Sequence, residues 1–530
     1  MSAVVRDRSK TEKNSFMSGV LVLTLSAIIV KIIGLIYKIP MLRLLGSEGM
    51  GYFNSAYEIY ALFCSIATTG LPVAMAVVIS SLSDTGGAKG VFRAALRIFC
   101  CLGVAGCVIM VAFARPFAVF LGNERASYCI MAIAPTVFFI CLTSAYRGYF
   151  QGRGKMAPTA ISQVIEAIGK LFLGLMFALV ALNARFSTEV VAAFAVMGLT
   201  LGVAASLLYL SIAKRIGKSE SACVLPSDEK KGIVGRLLRI AVPVTLSSSV
   251  VSVSKVIDMS MILRRLQDIG QSSEAAFASY GIYTTLALPL FSLAPTLVSS
   301  IALPLVPSLS SAVSRGDKDE EMMAATNALR LTALISAPAS VGLTLFAQPV
   351  LELIFSGEEN AIAYASPLLM ILGFSVMASC FITVGNAILQ SYGKAHIPLV
   401  SMGVGTALKI AVAWILIGNP NFGLIGAPIG TLVCDIVINS VNFYFIGKHL
   451  PKLPIFTGVL LRPFLSAAVS VSVSRVIYNV LSLKLGENRA VTLVSIVIAV
   501  ALYLFLALIS GAVVKDDLMI ISFGRNAKKT

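Results

Sequence analysis

The chain has 530 residues, of which 57% are hydrophobic and only 13% are charged. A soluble domain carries about 25% charged residues, so this composition is typical of a membrane protein and excludes disordered, collagen-like and disulfide-scaffold classes. Lys and Arg outnumber Asp and Glu by 42 to 25. In a soluble protein this excess would indicate nucleic-acid binding, whereas here the first question is where the cations lie relative to a bilayer.

Fourteen segments are long and apolar enough to cross a bilayer, since a spanning helix needs about 20 mostly apolar residues. In chain order they are 16–40, 53–82, 91–114, 127–150, 159–182, 190–213, 237–262, 277–312, 324–348, 361–390, 398–418, 423–447, 458–482 and 490–514. The eighth contains Pro289, Pro295 and Pro304, which predict a bent or broken helix and a candidate hinge. Kinks that serve only packing are as common.

The basic residues alternate along the connections between these segments. With the N-terminus inside, and with Arg93 and Arg147 at the ends of their spans counted with the cytoplasmic segments that they border, 24 of the 42 Lys and Arg residues are cytoplasmic, eight fall in outside segments and ten lie within the spans. The bias predicts that both termini are cytoplasmic, because cytoplasmic loops of membrane proteins are enriched in Lys and Arg. A charge at the centre of a bilayer costs about 3 kcal/mol, so each of the ten cations within the spans is expected to have a function or a partner that offsets this cost.

The two halves of the chain contain the same landmarks in the same order. An Ala-Leu-Arg segment is followed 19 residues later by a proline, and a Gln-x-x-Gly-Lys segment is followed 15 residues later by an intramembrane lysine. The landmarks are Arg97, Pro116, Gln151–Lys155 and Lys170 in the first half and Arg330, Pro349, Gln390–Lys394 and Lys409 in the second. Collinear matches of this kind indicate a parallel repeat of six helices.

The predicted fold is therefore an all-α integral membrane protein with about 14 transmembrane helices. Two six-helix repeats form two lobes around a central cavity, and two C-terminal helices are additional. The predicted parts are a cytoplasmic N-terminal segment, an N-lobe, a cytoplasmic linker, a C-lobe, helices 13 and 14, and a cytoplasmic tail. Their boundaries are 1–15, 16–213, 214–236, 237–447, 448–514 and 515–530.

Charged residues within the spans are the candidate substrate ligands. Lys31 and Lys38 are seven residues apart and share one face of the first span. Glu58 lies on the second span, and Lys255 and Asp258 lie one turn apart on the seventh. A water-filled cavity lined by lysines would accept an anionic head group, such as a lipid-linked diphosphate, because lysine acts as a point charge toward phosphate. We therefore predict that these five residues bind substrate.

Other intramembrane charges are predicted to couple transport or to form ion pairs. Glu166 and Lys170 are four residues apart in the favourable order for a helical pair. Lys255 and Asp258 could likewise form an ion pair with each other instead of binding substrate. Lys409 either faces substrate or pairs with an acid, and both Asp435 and Asp258 are candidates for that partner.

Residues suited to enzymatic chemistry are scarce. The two histidines, His396 and His449, fall in predicted cytoplasmic loops, and no Ser/His/Asp set or HExxH motif is present. The nine cysteines form no metal-ligand spacing. Asp317-Lys-Asp319 fits the DxD motif of metal-dependent glycosyltransferases, but a solvated loop is the better interpretation. We predict a transporter with no catalytic residue, metal or cofactor; a membrane-bound glycosyl or acyl transferase is the weaker alternative.

Four short segments resemble a known family when they are taken together with the fourteen spans and the repeat. They are Lys31–Gly34 (KIIG), Val256–Asp258 (VID), Leu263–Leu266 (LRRL) and Ala302–Pro307 (ALPLVP). The chain resembles the polysaccharide exporter and lipid II flippase (MurJ-like) branch of the multidrug/oligosaccharidyl-lipid/polysaccharide exporter superfamily, in its stage V sporulation protein B-like subgroup.

The resemblance implies flipping of an undecaprenyl-diphosphate-linked sugar precursor, lipid II or a related cell-wall or spore-wall intermediate. Movement would proceed by alternating access, from the inner to the outer leaflet of the bacterial cytoplasmic membrane. The implied partners are this anionic lipid-linked glycan and the bilayer, with no nucleic acid. A monomer is expected, and association with the cell-wall synthesis machinery is left open.

The sequence departs from the family pattern at several positions. The cavity arginines that the resemblance implies on helix 1 map near Lys31 and Tyr37, and the basic residue of helix 2 has no counterpart. Asp258 matches the acid that some members use to bind sodium, but helix 11 offers Lys409, which leaves the energy source open. A multidrug antiporter of the same superfamily is the alternative, although a pump for organic cations is expected to have an acidic cavity.

Overall fold

The computed structural model describes residues 2–68, 70–80, 85–216, 227–450, 457–486 and 488–512. Throughout these residues the secondary structure is helical and no strand occurs, which confirms the all-α prediction. The chain forms two compact units, Met1–Gly281 and Ile282–Thr530. The predicted tail 515–530 and the centre of the predicted linker, 217–226, lie outside the described residues. The predicted lobe boundaries therefore stay a prediction.

The first unit contains nine helices in the described residues. They are α1 (Ser2–Thr68), α2 (Gly70–Ser80), α3 (Thr85–Ala112), α4 (Ala114–Phe120), α5 (Ala126–Gly152), α6 (Ala157–Asn183), α7 (Thr188–Ile216), α8 (Ser227–Asp268) and α9 (Ser273–Ile282), the last residue of α9 belonging to the second unit.

The second unit contains eight α-helices in its described part. They are α10 (Leu288–Arg315), α11 (Lys318–Leu345), α12 (Ala347–Ile354), α13 (Glu359–Ser391), α14 (His396–Ile417), α15 (Gly426–His449), α16 (Arg462–Leu485) and α17 (Arg489–Ile509). Two π turns, Tyr283–Ala287 and Thr457–Leu461, precede α10 and α16, and a short 3-10 helix, Gly423–Ile425, precedes α15.

Each of the fourteen predicted spans contains a helix. Twelve helical stretches of the described residues are long and apolar enough to cross a membrane. The first two predicted spans are separate helices that meet at a kink within α1, at Gly46, and the second predicted span comprises the end of α1 together with α2. The backbone leaves helical geometry at Gly46, whose φ of 66° and ψ of 178° are readily adopted by glycine alone.

The landmarks of the sequence repeat fall at equivalent places in the two units. Pro116 lies in the short helix α4 that follows α3, and Pro349 lies in the short helix α12 that follows α11. The turns after α5 and α13 are also alike, since Gly154 has a φ of 70° and Gly393 a φ of 71°. Within each unit, the repeated sequence therefore forms the same local structure.

The π turn before α10 has a cause in the sequence. Proline lacks the N–H group that closes an α-helical turn, and its ring collides with the carbonyl group four residues earlier. For Pro289 that carbonyl group belongs to Thr285, which lies within the π turn Tyr283–Ala287. By contrast, α10 continues as an α-helix across Pro295 and Pro304. The predicted break is thus a widened turn that precedes the first proline.

Glycines let α6 and α7 approach closely. A Cβ atom at Gly198 would lie 2.2 Å from the backbone nitrogen of Gly174, and one at Gly169 would lie 2.6 Å from the Cα atom of Gly202. Small residues at such crossings allow the helix backbones to meet, as is typical of membrane proteins. The close approach fixes the position of α6, which carries Glu166 and Lys170.

Candidate substrate-binding site

Four lysines of the first unit form a connected group, which we call the lysine cluster: Lys31 and Lys38 on α1, Lys170 on α6 and Lys255 on α8. Lys31 and Lys255 are close enough for their like charges to repel each other. Lys38 is repelled by both Lys31 and Lys170 and is attracted by Glu58. The first unit thus concentrates positive charge from three helices in one region.

Aromatic rings hold the ammonium group of Lys170. Its Nζ atom lies 4.7 Å from the ring centroid of Tyr57, 5.1 Å from that of Tyr37 and 5.6 Å from that of Phe53. A cation over an aromatic face is attracted by the ring quadrupole, by about 0.5–2 kcal/mol depending on desolvation. The three rings therefore keep a cation inside a membrane span without a direct ion pair. We call this set of three rings the aromatic cage.

Glu166 forms its ion pair with Arg147 of α5. The Nη2 atom of Arg147 lies 2.9 Å from Oε2 of Glu166, and its Nε atom donates to Ser162 Oγ at 3.0 Å. Only 12% of the Arg147 side chain and 23% of the Glu166 side chain are exposed. Lys170 is attracted by the Glu166 charge, but the close partner of Glu166 is the arginine.

In the second unit, Lys409 and Asp435 interact. Asp435 of α15 is buried and accepts a hydrogen bond from the hydroxyl group of Ser379 of α13. The charge of Lys409 on α14 attracts it. Lys409 and Lys170 occupy matching places in the repeat, yet one faces a carboxylate and the other faces aromatic rings. Of the two partners proposed for Lys409, Asp435 is the one within the same unit.

The remaining predicted residues are distributed as follows. Lys255 is exposed and Asp258 half-buried, one turn apart on α8, and Glu58 is half-buried on α1. Pro289, Pro295 and Pro304 all lie in α10. Sequence reasoning missed Arg147 and the aromatic cage as parts of the site. Arg147 falls inside the predicted span 127–150, and this position was the available signal.

The Asp317–Glu321 stretch forms the start of α11. The carboxylate of Asp317 caps the helix by accepting from the backbone N–H of Glu320 at 3.0 Å. Glu321 is fully buried, with Lys318 Nζ at 3.0 Å and the Tyr392 hydroxyl group donating to it at 2.6 Å. Burial, together with the hydrogen bond to Glu321, raises the pKa of the Tyr392 hydroxyl group, so the phenol stays protonated. No group of three metal-ligating side chains occurs in the described part of the chain.

Comparison with known families identifies the class of protein. The sequence model of the polysaccharide biosynthesis protein family matches residues 16–313, which is more than half of the chain. The chain belongs to the polysaccharide biosynthesis protein family. The MatE family model matches residues 243–415 of this family member. It is a transporter or flippase of the multidrug/oligosaccharidyl-lipid/polysaccharide exporter superfamily, as the resemblance in its sequence implies.

Two relatives from Bacillus subtilis (strain 168) align with this family member over nearly the full length of both chains. Stage V sporulation protein B is 25% identical over 96% of this chain and 97% of its own. Lipid II flippase MurJ is 24% identical over 93% of this chain and 95% of its own. A solved structure of lipid II flippase MurJ in an inward closed conformation has the same fold, with a TM-score of 0.70 and 15% identity over 92% of this chain and 98% of that chain.

Proposed function

We propose that this protein is an alternating-access flippase that moves an undecaprenyl-diphosphate-linked sugar precursor from the inner to the outer leaflet. Lipid II or a related cell-wall or spore-wall intermediate is the proposed substrate. The observation that carries the proposal is the lysine cluster. Mutually repelling cations within spanning helices are costly, and a diphosphate group would offset that repulsion through several strong charge-assisted contacts.

Within this proposal, Lys31, Lys38 and Lys255 bind the diphosphate, with Glu58 and Asp258 at the edge of the same site. Glu166 and Lys170 in the first unit, and Lys409 and Asp435 in the second, serve as coupling or ion-pair groups. The names of the relatives support the substrate class, since one is a lipid II flippase and another a sporulation protein. We also propose the bacterial plasma membrane as the location, with both termini cytoplasmic and the protein acting as a monomer.

The second candidate is export of organic cations, which the match to the MatE family favours. The lysine cluster disfavours it. A cationic drug would meet the repulsion that already exists between Lys31 and Lys255, and nearby Glu166 is occupied by Arg147. The charge of the site therefore separates the two candidates.

The test is transport of labelled lipid II in liposomes that contain the purified protein. Lys31→Ala and Lys255→Ala should each lower the rate of head-group movement by about tenfold, because each removes a charge that contacts the diphosphate. Both side chains are exposed, so folded protein should still accumulate in the membrane. Lys155→Ala, an exposed lysine outside the cluster, is the matched control. Unchanged transport in both cluster variants would falsify the proposed site, and transport of an organic cation instead of lipid II would favour the second candidate.

A further inference from the structure

The second unit contains a cavity that takes no part in the site described above. Its volume is about 800 Å³, within the range of 300–1,000 Å³ that is common for small-molecule sites. Its walls come from α12, the first turns of α13 and the beginning of α17. Among the polar side chains that line it are Gln348, Glu352, Ser356, Glu359, Asn488 and Arg489. Under the proposed topology, these helix ends lie on the side of the membrane away from the cytoplasm.

Opposite charges face this cavity without neutralising each other. Arg489 donates to the hydroxyl group of Ser356, and Glu352 accepts from Gln348 Nε2 at 2.7 Å. The ion pairs found among the described residues lie elsewhere, so Arg489 is not within 4.0 Å of either Glu352 or Glu359. A ligand that carries both signs of charge would bridge them.

The positive side of the cavity is reinforced by a helix end. Arg489 is the first residue of α17, and Asn488 caps that helix by accepting from the backbone N–H of Ala490 at 3.4 Å. The positive end of the helix dipole therefore adds to the guanidinium charge and favours anionic oxygens there. The two glutamates provide acceptors for an ammonium group. Leu353, Ile362 and Pro367 complete the lining with apolar surface that suits a short carbon chain.

We propose that this cavity binds a zwitterionic head group. An ammonium group would be held by Glu352 and Glu359, and a phosphate or carboxylate group by Arg489 and the start of α17. The same chemistry exists in the head group of an ethanolamine phospholipid and in a soluble amino phosphate. The proposal concerns the second unit alone, and its outcome is separate from that of the flippase proposal.

Binding of O-phosphoethanolamine tests the chemistry. Full-length protein in phosphatidylglycerol nanodiscs is titrated calorimetrically with this zwitterion, with ethanolamine alone and with inorganic phosphate alone. Saturable binding is expected for the zwitterion, with each half binding about tenfold more weakly because it meets only one charge of the site. Absence of saturable binding, or phosphate alone binding as tightly as the zwitterion, would overturn the proposal.

Matched variants locate the site. Arg489→Gln and the double variant Glu352→Gln/Glu359→Gln should each weaken zwitterion binding by about tenfold. Glu358→Gln and Lys484→Gln remove neighbouring charges that do not line the cavity, and should leave binding unchanged. Equal binding by all variants places the ligand elsewhere and contradicts the proposal. The unfolding temperature of each variant, measured in the same nanodiscs, separates lost binding from lost structure.

Native mass spectrometry distinguishes the two sources of the head group. Protein is released from nanodiscs that contain equal amounts of phosphatidylethanolamine and phosphatidylglycerol. Retention of phosphatidylethanolamine by the wild type, and its loss in Arg489→Gln, would identify a phospholipid ligand. Binding of O-phosphoethanolamine without lipid retention would identify a soluble ligand. Retention of both lipids to the same extent in wild type and variant would count against a site built for the zwitterion.

Discussion

At the scale of single residues, Glu166 and Lys170 should respond very differently to substitution. Removing one partner of a buried ion pair leaves the other charge uncompensated and costs about 3–5 kcal/mol. Glu166→Gln should therefore destabilise the protein strongly, because Arg147 lies 2.9 Å away and loses its carboxylate. Lys170→Met leaves no close ion-pair partner behind, since that lysine lies over aromatic rings. Its cost should be small by comparison, measured as the unfolding temperature in detergent.

The double variant Glu166→Gln/Arg147→Met is the control for this comparison. It removes both charges, so it should recover much of the stability that Glu166→Gln alone loses. Equal losses for Glu166→Gln and Lys170→Met would instead support a Glu166–Lys170 pair. The i,i+4 spacing in the sequence favours the Glu166–Lys170 pair. Spacing of this kind reports only on contacts within one helix. The arginine comes from α5, and only tertiary packing brings it to α6.

At the scale of helices, the π turn before α10 makes Pro289 the first of the three candidate hinge prolines to test. Hinges absorb backbone rotation at a few positions where helical hydrogen bonding is already irregular. Pro289 follows such a turn, whereas α10 continues regularly across Pro295. Pro289→Ala restores a backbone N–H group and should stiffen this segment. We expect the rate of lipid II movement in liposomes to fall several-fold.

Pro295→Ala is the matched control for the hinge. It lies in the same helix, where the backbone is regular, and should leave the transport rate near that of the wild type. A larger effect at Pro295 than at Pro289 would place the hinge in the body of α10 and contradict this assignment. The unfolding temperature of both variants shows whether a lower rate reflects stiffness or lost structure.

Helices were largely predictable from hydropathy, and their junctions were not. Apolar length identifies each span, because every backbone group within a bilayer must be satisfied inside a helix. The sequence predicts a connection over 41–52, whereas the two helices of α1 meet directly, because one glycine with a positive φ suffices for the turn between them. The aromatic cage was missed for a similar reason. In the sequence, its three rings are indistinguishable from ordinary apolar positions of a span. Only the packing of α1 against α6 brings Tyr37, Phe53 and Tyr57 to Lys170.

At the scale of the whole molecule, the repeat explains why one sequence landmark has two outcomes. Equivalent turns after α5 and α13 place Lys170 and Lys409 at matching positions. The first unit surrounds its lysine with rings, and the second gives it Asp435 as a counter-charge. The two units thus share a fold but surround the equivalent lysine differently, which is consistent with the proposal that the anion binds in the first unit. The spacing of the repeat predicts the fold, while the neighbouring side chains decide the chemistry.

The distribution of charge over the whole chain predicts its orientation in the membrane. The net charge of +17 arises largely from 24 basic residues in segments assigned to the cytoplasm, against eight outside. Lys394 and Lys484 are exposed on opposite predicted sides. In a cysteine-free background, Lys484→Cys should react with a membrane-impermeant maleimide in intact cells, and Lys394→Cys only after permeabilisation. The reverse pattern would invert the topology, and would also move the zwitterion cavity to the cytoplasmic side, because Lys484 and Arg489 flank the same turn between α16 and α17.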